Sequence, residues 1–228
     1  MYKCFFKRAI DLILSGLAIV ILALPMLFVA IAIKIDDPGP VLFKQKRVGK
    51  KKNGEITYFM IWKFRSMKMS TPHDTPTHLL ENPDQYITRV GRFIRKASID
   101  ELPQIYQVFT SKLSVIGPRP ALWSQEDLIA EREKYGANDI KPGITGWAQI
   151  NGRDELEIDV KARFDGEYAA ALNAGKFKGV AMDIKCFFGT VKSVLKSDGV
   201  VEGGTGEMKK QEEQKALEEA AKEEEAAK

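Results

Sequence analysis

From Leu12 to Ile33 the chain runs 22 positions without a charge and with nothing more polar than Ser15. At ~1.5 Å of rise per residue this is about 33 Å of helix, enough to cross a hydrocarbon core of roughly 30 Å. The pattern predicts a membrane-embedded helix. Ala30-Ile31-Ala32 imitates a signal-peptidase site, but the apolar run exceeds the ~7 to 15 residues of a secretory segment. Pro25 sits just past the midpoint, where a missing backbone N–H favours a bend. Both flanks are basic. Residues 1–11 carry Lys3, Lys7 and Arg8 against Asp11, and residues 34–52 carry seven Lys/Arg against Asp36 and Asp37. Positively charged flanks stay on the cytoplasmic side. A helix that doubles back at Pro25 satisfies both flanks, and these charges favour it over a tilted span, provided that protein or headgroups cover the backbone near the kink.

Pro38-Gly39-Pro40 ends this segment, since no helix continues through it. Beyond it, Val41–Val48 and Ile56–Met67 read as two strands joined by a turn at Asn53-Gly54. Residues 68–86 read as a long exposed loop, a binding element or a disordered insertion. Residues 87–96 place Val90, Phe93 and Ile94 on one helical face and Arg89, Arg92, Arg95 and Lys96 on the other. Such a basic amphipathic helix suits a solvated surface or a phosphate-rich headgroup layer. Residues 183–196 repeat the theme: Ile184, Phe187, Phe188, Val191 and Leu195 oppose Lys185, Lys192 and Lys196. This helix is expected either to pack its apolar face into the core or to meet the membrane interface. After Val201 the chain turns to Gly203-Gly204-Thr205-Gly206, a linker, and then to an Ala/Glu/Lys tail without an apolar stripe.

Charge sharpens this picture. The tail from Glu207 holds eight Glu and five Lys, so residues 1–206 carry +7 although the whole chain carries +4. That body suits an acidic partner such as phosphate groups or an anionic membrane surface. Nucleic acid fits the charge but not the membrane helix, and no nucleic-acid motif is present. Two cysteines 182 positions apart, Cys4 and Cys186, exclude a disulfide framework and a zinc module. His73 and His78 are the sole histidines, which leaves little room for histidine-based catalysis.

The richest stretch chemically is Ser98-Ile99-Asp100-Glu101-Leu102-Pro103-Gln104, which follows Arg95-Lys96. Its structural reading is a capping box: Ser98 caps a new helix and Glu101 reaches back to the cap. Three further stretches favour phosphate: Lys63-Phe64-Arg65, Gly117-Pro118-Arg119-Pro120 and Lys141-Pro142-Gly143-Ile144-Thr145-Gly146. Arginine grips phosphate bidentately and glycine lets backbone approach closely. With the Asp-Glu pair they suggest a site for a polyphosphate substrate and a divalent ion.

These motifs, with Phe43-x-Gln45-x-Arg47-x-Gly49 and Trp62-Lys63-Phe64-Arg65-Ser66-Met67, occur in the order seen in bacterial sugar transferases. Over residues 1–200 the chain resembles their small monotopic polyprenyl-phosphate phosphoglycosyl transferases. The resemblance implies transfer of a sugar 1-phosphate from a UDP-sugar to undecaprenyl phosphate, releasing UMP. That is the first membrane step in building a capsule, exopolysaccharide, O-antigen or glycoprotein glycan, on the cytosolic face of the bacterial inner membrane. It also implies Mg2+ as cofactor, Asp100 as nucleophile and metal ligand, Glu101 as its acidic neighbour, and Pro25 as the cause of a re-entrant helix. Lys63, Arg65, Arg95, Arg119, Lys141, Gly143 and Thr145 are the expected substrate-binding residues. The role of Glu101 stays open among general base, metal ligand and helix cap. Asp165 and Tyr168 match a D-x-x-Y element, in which Asp165 is expected to orient a basic residue or the metal. Leu24-Pro25 replaces a common Ser-Pro pair and Lys141 a typical Arg. The larger relatives' N-terminal multi-helix region is expected to be absent.

The expected fold is α+β, a single mainly helical domain with a small β-hairpin, anchored by the N-terminal Pro-kinked re-entrant membrane helix. The expected divisions are residues 1–37 for the membrane helix and flanks, 38–201 for the cytosolic catalytic domain with interfacial amphipathic helices, and 202–228 for linker and tail. The expected partners are the UDP-sugar, undecaprenyl phosphate and the lipid bilayer, with a homo-oligomer possible and no nucleic acid. Two alternatives remain: a transferase that attacks the anomeric carbon and releases UDP, and a non-catalytic membrane adaptor.

Overall fold

The computed structural model describes residues 2–71, 83–152 and 156–196. His73, His78, most of the 68–86 loop, the glycine linker and the charged tail lie outside them, as does the side chain of Cys4. The apolar run forms α1 (Lys7–Asp36), preceded by a π-helical stretch, Tyr2–Phe6, and helical on both sides of Pro25. Among the described residues, α1 is the one helix long and apolar enough to cross a membrane. It stops where Asp37 turns extended, at φ −148°, and donates its N–H to Ile33 O at 3.1 Å.

Strands β1 (Leu42–Val48) and β2 (Tyr58–Phe64) pair antiparallel, with Leu42 opposite Phe64 and Val48 opposite Tyr58. The turn is the expected two-residue one. Asn53 and Gly54 take φ of +51° and +83°, and Lys52 and Glu55 exchange both backbone hydrogen bonds at 2.9 Å. β2 ends at Phe64, short of the expected Met67. An isolated hairpin is marginal in water, and here both outer edges are covered. Gln107, 1% exposed, accepts from Trp62 N at 2.9 Å and donates to Met60 O at 2.7 Å, while Val48 N donates to Ala121 O at 2.9 Å.

The short basic helix is α2 (Arg89–Lys96), capped by Thr88, whose Oγ1 accepts from Gly91 N at 2.8 Å. Its faces differ from the sequence pattern. Ile94 is 1% exposed and Val90 partly buried, but Phe93 is 67% exposed and joins Arg89 and Arg92 on the outer face. A three-residue 3-10 turn (Ile99–Glu101) leads into α3 (Gln104–Phe109). Next comes a parallel pair that the sequence pattern did not reveal, β3 (Ser114–Ile116) and β4 (Gly143–Thr145). Its backbones touch at glycines: a Cβ on Gly143 would fall 2.1 Å from Gly117 N, and one on Gly146 2.2 Å from Gly117 O.

Helices α4 (Glu126–Lys134), α5 (Trp147–Ile150), α6 (Ile158–Asn173) and α7 (Lys176–Lys196) complete the described chain. The largest core cluster joins Tyr168, Ala169 and Leu172 of α6 to Cys186 of α7, Ile116 and Ile140. α7 turns Gly179, Asp183 and Cys186 inward and leaves Phe177, Ile184, Phe187, Phe188 and Val191 exposed. The alternative in which this apolar stripe packs into the core is therefore overturned.

Both ends of α1 are tied to the rest of the protein. At its start, Lys7 pairs with Asp183 of α7 at 2.8 Å, and Arg8 donates to the Val108 and Phe109 carbonyls, each at 2.7 Å, closing the end of α3. One turn later Asp11, 3% exposed, accepts from Ser114 Oγ at 2.8 Å and Val115 N at 2.9 Å. At its end Asp36 accepts from Val90 N at 2.9 Å, and Asp37 binds Arg65 Nη1 at 2.5 Å. Between them, Met26 and Ile33 pack with Phe64 of β2 and Ile94 of α2.

Candidate active site

Side chains alternate along β2, so Ile61 and Lys63 share the inner face, where Ile61 is 4% exposed. Facing Lys63 is the turn Ile99–Glu101. Ser98 before it adopts φ +53°, the left-handed region, and its side chain makes no cap bond. The capping box expected from Ser98 and Glu101 does not form; Glu101 points into an ion-pair cluster instead. Asp100 is 4% exposed. Lys63 Nζ lies 3.7 Å from Asp100 Oδ2 and 3.1 Å from Glu101 Oε1, so the two carboxylates converge on one ammonium. On the far side Arg119, placed between Pro118 and Pro120, donates from Nη2 to Glu101 Oε1 at 2.7 Å and from Nη1 to Oε2 at 3.3 Å. This is a two-pronged guanidinium–carboxylate grip.

Burial alone would raise the Glu101 pKa, but Arg119 and then Lys63 outweigh it and hold the carboxyl well below its usual range. Glu101 is thus a fixed anion at neutral pH. A carboxylate this acidic is a weak general base.

Behind Arg119 lies a pair that sequence reasoning half found. Asp165 is fully buried, and its Oδ2 accepts from Arg132 Nε at 2.8 Å and Nη2 at 2.5 Å. The same Arg132 Nη2 donates to the Arg119 carbonyl at 3.0 Å. Arg132 was not singled out from the sequence, because on α4 it reads as one more charge on a polar helix.

The other expected site residues make contacts of their own. Arg95 Nε donates to Ser66 Oγ at 2.9 Å, on the helix that leads into the Asp100 turn. Arg65 is engaged with Asp37 at the end of α1. Lys141 lies half-buried with Arg8, Asp11, Lys50 and Lys7 as its charged neighbours, and its pKa is lowered by burial first and then by Arg8. Gly143 donates its amide to Pro118 O at 2.9 Å, and Thr145 Oγ1 shares a 2.8 Å hydrogen bond with Thr190. Lys63 and Arg119 stand directly against the acidic pair.

A metal has a limited place here. Among the described residues, no group of three or more His, Cys, Asp or Glu side chains is arranged to hold an ion. Magnesium, however, needs few protein ligands, commonly one or two carboxylates completed by substrate phosphates and water. With both oxygens of Glu101 held by Arg119, Asp100 is the carboxylate that fits such a site.

The pair also sits against the membrane helix. Ile99 and Leu102, which flank it, pack into the cluster that contains Leu22, Met26, Val29 and Ile33 of α1. An acidic pair thus sits among cations beside an apolar helix long enough to anchor the protein in a membrane. The profile of the bacterial sugar transferases matches residues 2–197, and the chain belongs to that family. It is 38% identical over 198 residues to the UDP-glucose:undecaprenyl-phosphate glucose-1-phosphate transferase of Escherichia coli, a match covering 81% of this chain and 39% of that protein. It is 40% identical over 196 residues to the undecaprenyl-phosphate glucose phosphotransferase of Komagataeibacter xylinus, covering 82% and 35% respectively. The exopolysaccharide production protein PSS of Rhizobium leguminosarum bv. phaseoli is 38% identical over 198 residues, covering 83% of this chain and 94% of its own length. The chain therefore spans little more than a third of the first two relatives and nearly all of the third.

Proposed function

We propose that this protein transfers a sugar 1-phosphate from a UDP-sugar to undecaprenyl phosphate, releasing UMP, as the opening step of a membrane-linked glycan. The observation that carries the reading is the convergence of Asp100 and Glu101 on Lys63, with Arg119 gripping Glu101, beside α1. In the first step a carboxylate oxygen of Asp100 attacks the β-phosphorus of the donor, the bond to the bridging oxygen breaks, and UMP leaves with that oxygen. In the second, a phosphate oxygen of undecaprenyl phosphate attacks the same phosphorus and frees Asp100, leaving a diphosphate-linked sugar. Covalent catalysis of this kind gives ping-pong kinetics.

Lys63 and Arg119 supply positive charge where the diphosphate must sit, and Glu101 holds both in place. Magnesium on Asp100 and the donor oxygens would further neutralise the phosphate charge. Tethering at both ends of α1 supports a re-entrant anchor: a straight 30-residue helix would be about 45 Å long, yet Lys7, Arg8 and Asp11 at one end and Asp36 and Asp37 at the other all bind the same folded body. With both flanks held on one face, the site faces the compartment that supplies UDP-sugars while the lipid acceptor arrives along the bilayer.

The test incubates nanodisc-embedded protein with Mg2+, undecaprenyl phosphate and a panel of UDP-sugars, and identifies the released nucleotide. UMP from one donor, abolished in Asp100→Asn, is expected. UDP would replace this reading with attack at the anomeric carbon, and a functional Asp100→Asn protein would restore the adaptor.

A further inference from the structure

We propose that Arg132 is a positioning residue for this transfer, setting the Arg119 guanidinium on Glu101 by holding the Arg119 main chain. The inference rests on the transfer reading above and adds a residue with no place in it. Arg132 is 4% exposed, and its fork divides between two acceptors, Asp165 Oδ2 and the Arg119 carbonyl. Arg119 stands between two prolines, each with φ fixed near −65°, so its segment has little freedom except as a unit. The neighbouring carbonyl is held in the same way: Pro120 O accepts from Arg47 Nη1 at 3.1 Å. Two guanidinium groups, the buried Arg132 and the half-buried Arg47, thus anchor consecutive carbonyls of the loop whose Arg119 side chain grips Glu101.

Asp165 fixes Arg132 in turn. Every hydrogen bond it accepts among the described residues comes from Arg132, and its Oδ1 accepts none. Asp165 therefore acts on Arg119 through Arg132 and makes no contact of its own with Asp100 or Glu101. Lysine cannot replace Arg132 here, because a single ammonium does not reproduce a planar fork that spans two acceptors.

The experiment is a double-mutant cycle on transfer in nanodiscs with Mg2+, undecaprenyl phosphate and the accepted UDP-sugar, using wild type, Arg132→Lys, Arg119→Ala and the double variant. If Arg132 works through Arg119, Arg132→Lys lowers kcat roughly 10- to 100-fold with the donor KM within about threefold. The double variant is then no slower than Arg119→Ala. Multiplying fold-losses in the double variant would make Arg132 a general scaffold residue and overturn the inference. Asp165→Asn, nearly isosteric, runs through the same cycle with the same expectation if Arg132→Lys yields too little folded protein. Wild-type protein that releases no UMP would overturn the parent reading, and this one with it; UMP release with independent losses overturns this one alone.

Discussion

Asp183 gathers more of the anchor than any other single side chain. Its Oδ2 accepts from Tyr2 OH at 2.6 Å and Lys7 Nζ at 2.8 Å, and its Oδ1 from Tyr168 OH at 2.7 Å. Asp183 is 8% exposed and Lys7 9%, so Asp183→Asn leaves a buried cation without its counter-charge. Breaking one side of a buried pair costs about 3–5 kcal/mol. The two tyrosine bonds weaken as well, but they share the carboxylate and are not added separately. At roughly 2–4 °C per kcal/mol for a domain of this size, the apparent Tm should fall by about 6–20 °C. Cys186 reports the same event from inside. Its thiol is fully buried and pushed up to about 12, by burial first and then by Asp183. In a Cys4→Ser background it is the sole cysteine, and maleimide labelling at neutral pH then measures opening of this cluster. Labelling should accelerate by about two to four orders of magnitude in Asp183→Asn. Adding Lys7→Met removes the orphaned cation and should recover part of the loss. A Tm within about 2 °C of wild type, with unchanged labelling, would refute the claim that this network fastens the start of α1.

Asp100→Asn should abolish UMP release, because an amide cannot form the phosphoryl-carboxylate intermediate, whereas Glu101→Gln should reduce it by releasing Arg119 and Lys63; nucleotide chromatography reads both. Because Glu101 is held below the usual carboxylate range, its contribution to stability is present above the unfolded value of about 4.3 and is lost only as pH falls through the lower folded value. Between pH 5 and 8 the activity profiles of wild type and Glu101→Gln should therefore share one shape at different heights, and an acid limb in that window removed by the substitution would contradict it. Tyr2 and Tyr168 are raised above the ordinary tyrosine value, chiefly by burial, so stability should decline as pH rises past about 10, where unfolded tyrosine ionises; alkaline unfolding followed by circular dichroism checks this. If α1 re-enters at Pro25, as proposed, Pro25→Ala should straighten it, and accessibility labelling of cysteines placed at either end of α1 should find one end moved across the bilayer; two ends that stay on one face would show that Pro25 does not set the topology.

The sequence pattern located α1, the hairpin with its Asn53-Gly54 turn, and the acidic pair, because each has a local signature: an uncharged run, a two-residue turn, adjacent carboxylates among cations. The parallel β3–β4 pair was missed since three-residue strands leave no alternation to read. The glycines of the Gly117 and Lys141-Gly146 stretches looked like phosphate cradles, but here they let two backbones touch. Phe93 was placed inward because 100° helical spacing puts it beside Val90 and Ile94; tertiary packing chose a narrower buried stripe and left it out. The long-range partners Asp11 with Ser114 and Lys7 with Asp183 have no sequence signature at all, and of Arg132 with Asp165 only the aspartate has one, since each pair joins elements that only the fold brings together.

Two adjacent carboxylates invite the assumption that they share one task, yet their surroundings separate them. Glu101 is gripped by Arg119 through both oxygens and by Lys63 through one, so its charge is already spent on holding those cations. Asp100 stands at the longer distance of 3.7 Å from the same lysine. Adjacent carboxylates held by different partners are suited to different roles. In the proposed transfer this division would give Asp100 the reacting position and Glu101 the frame. It also explains why the turn bearing them forgoes its helix cap: a Glu101 that reached back to Ser98 could not clamp Arg119. The left-handed Ser98 gives up a capped helix start, and both carboxylates face Lys63 beside α1.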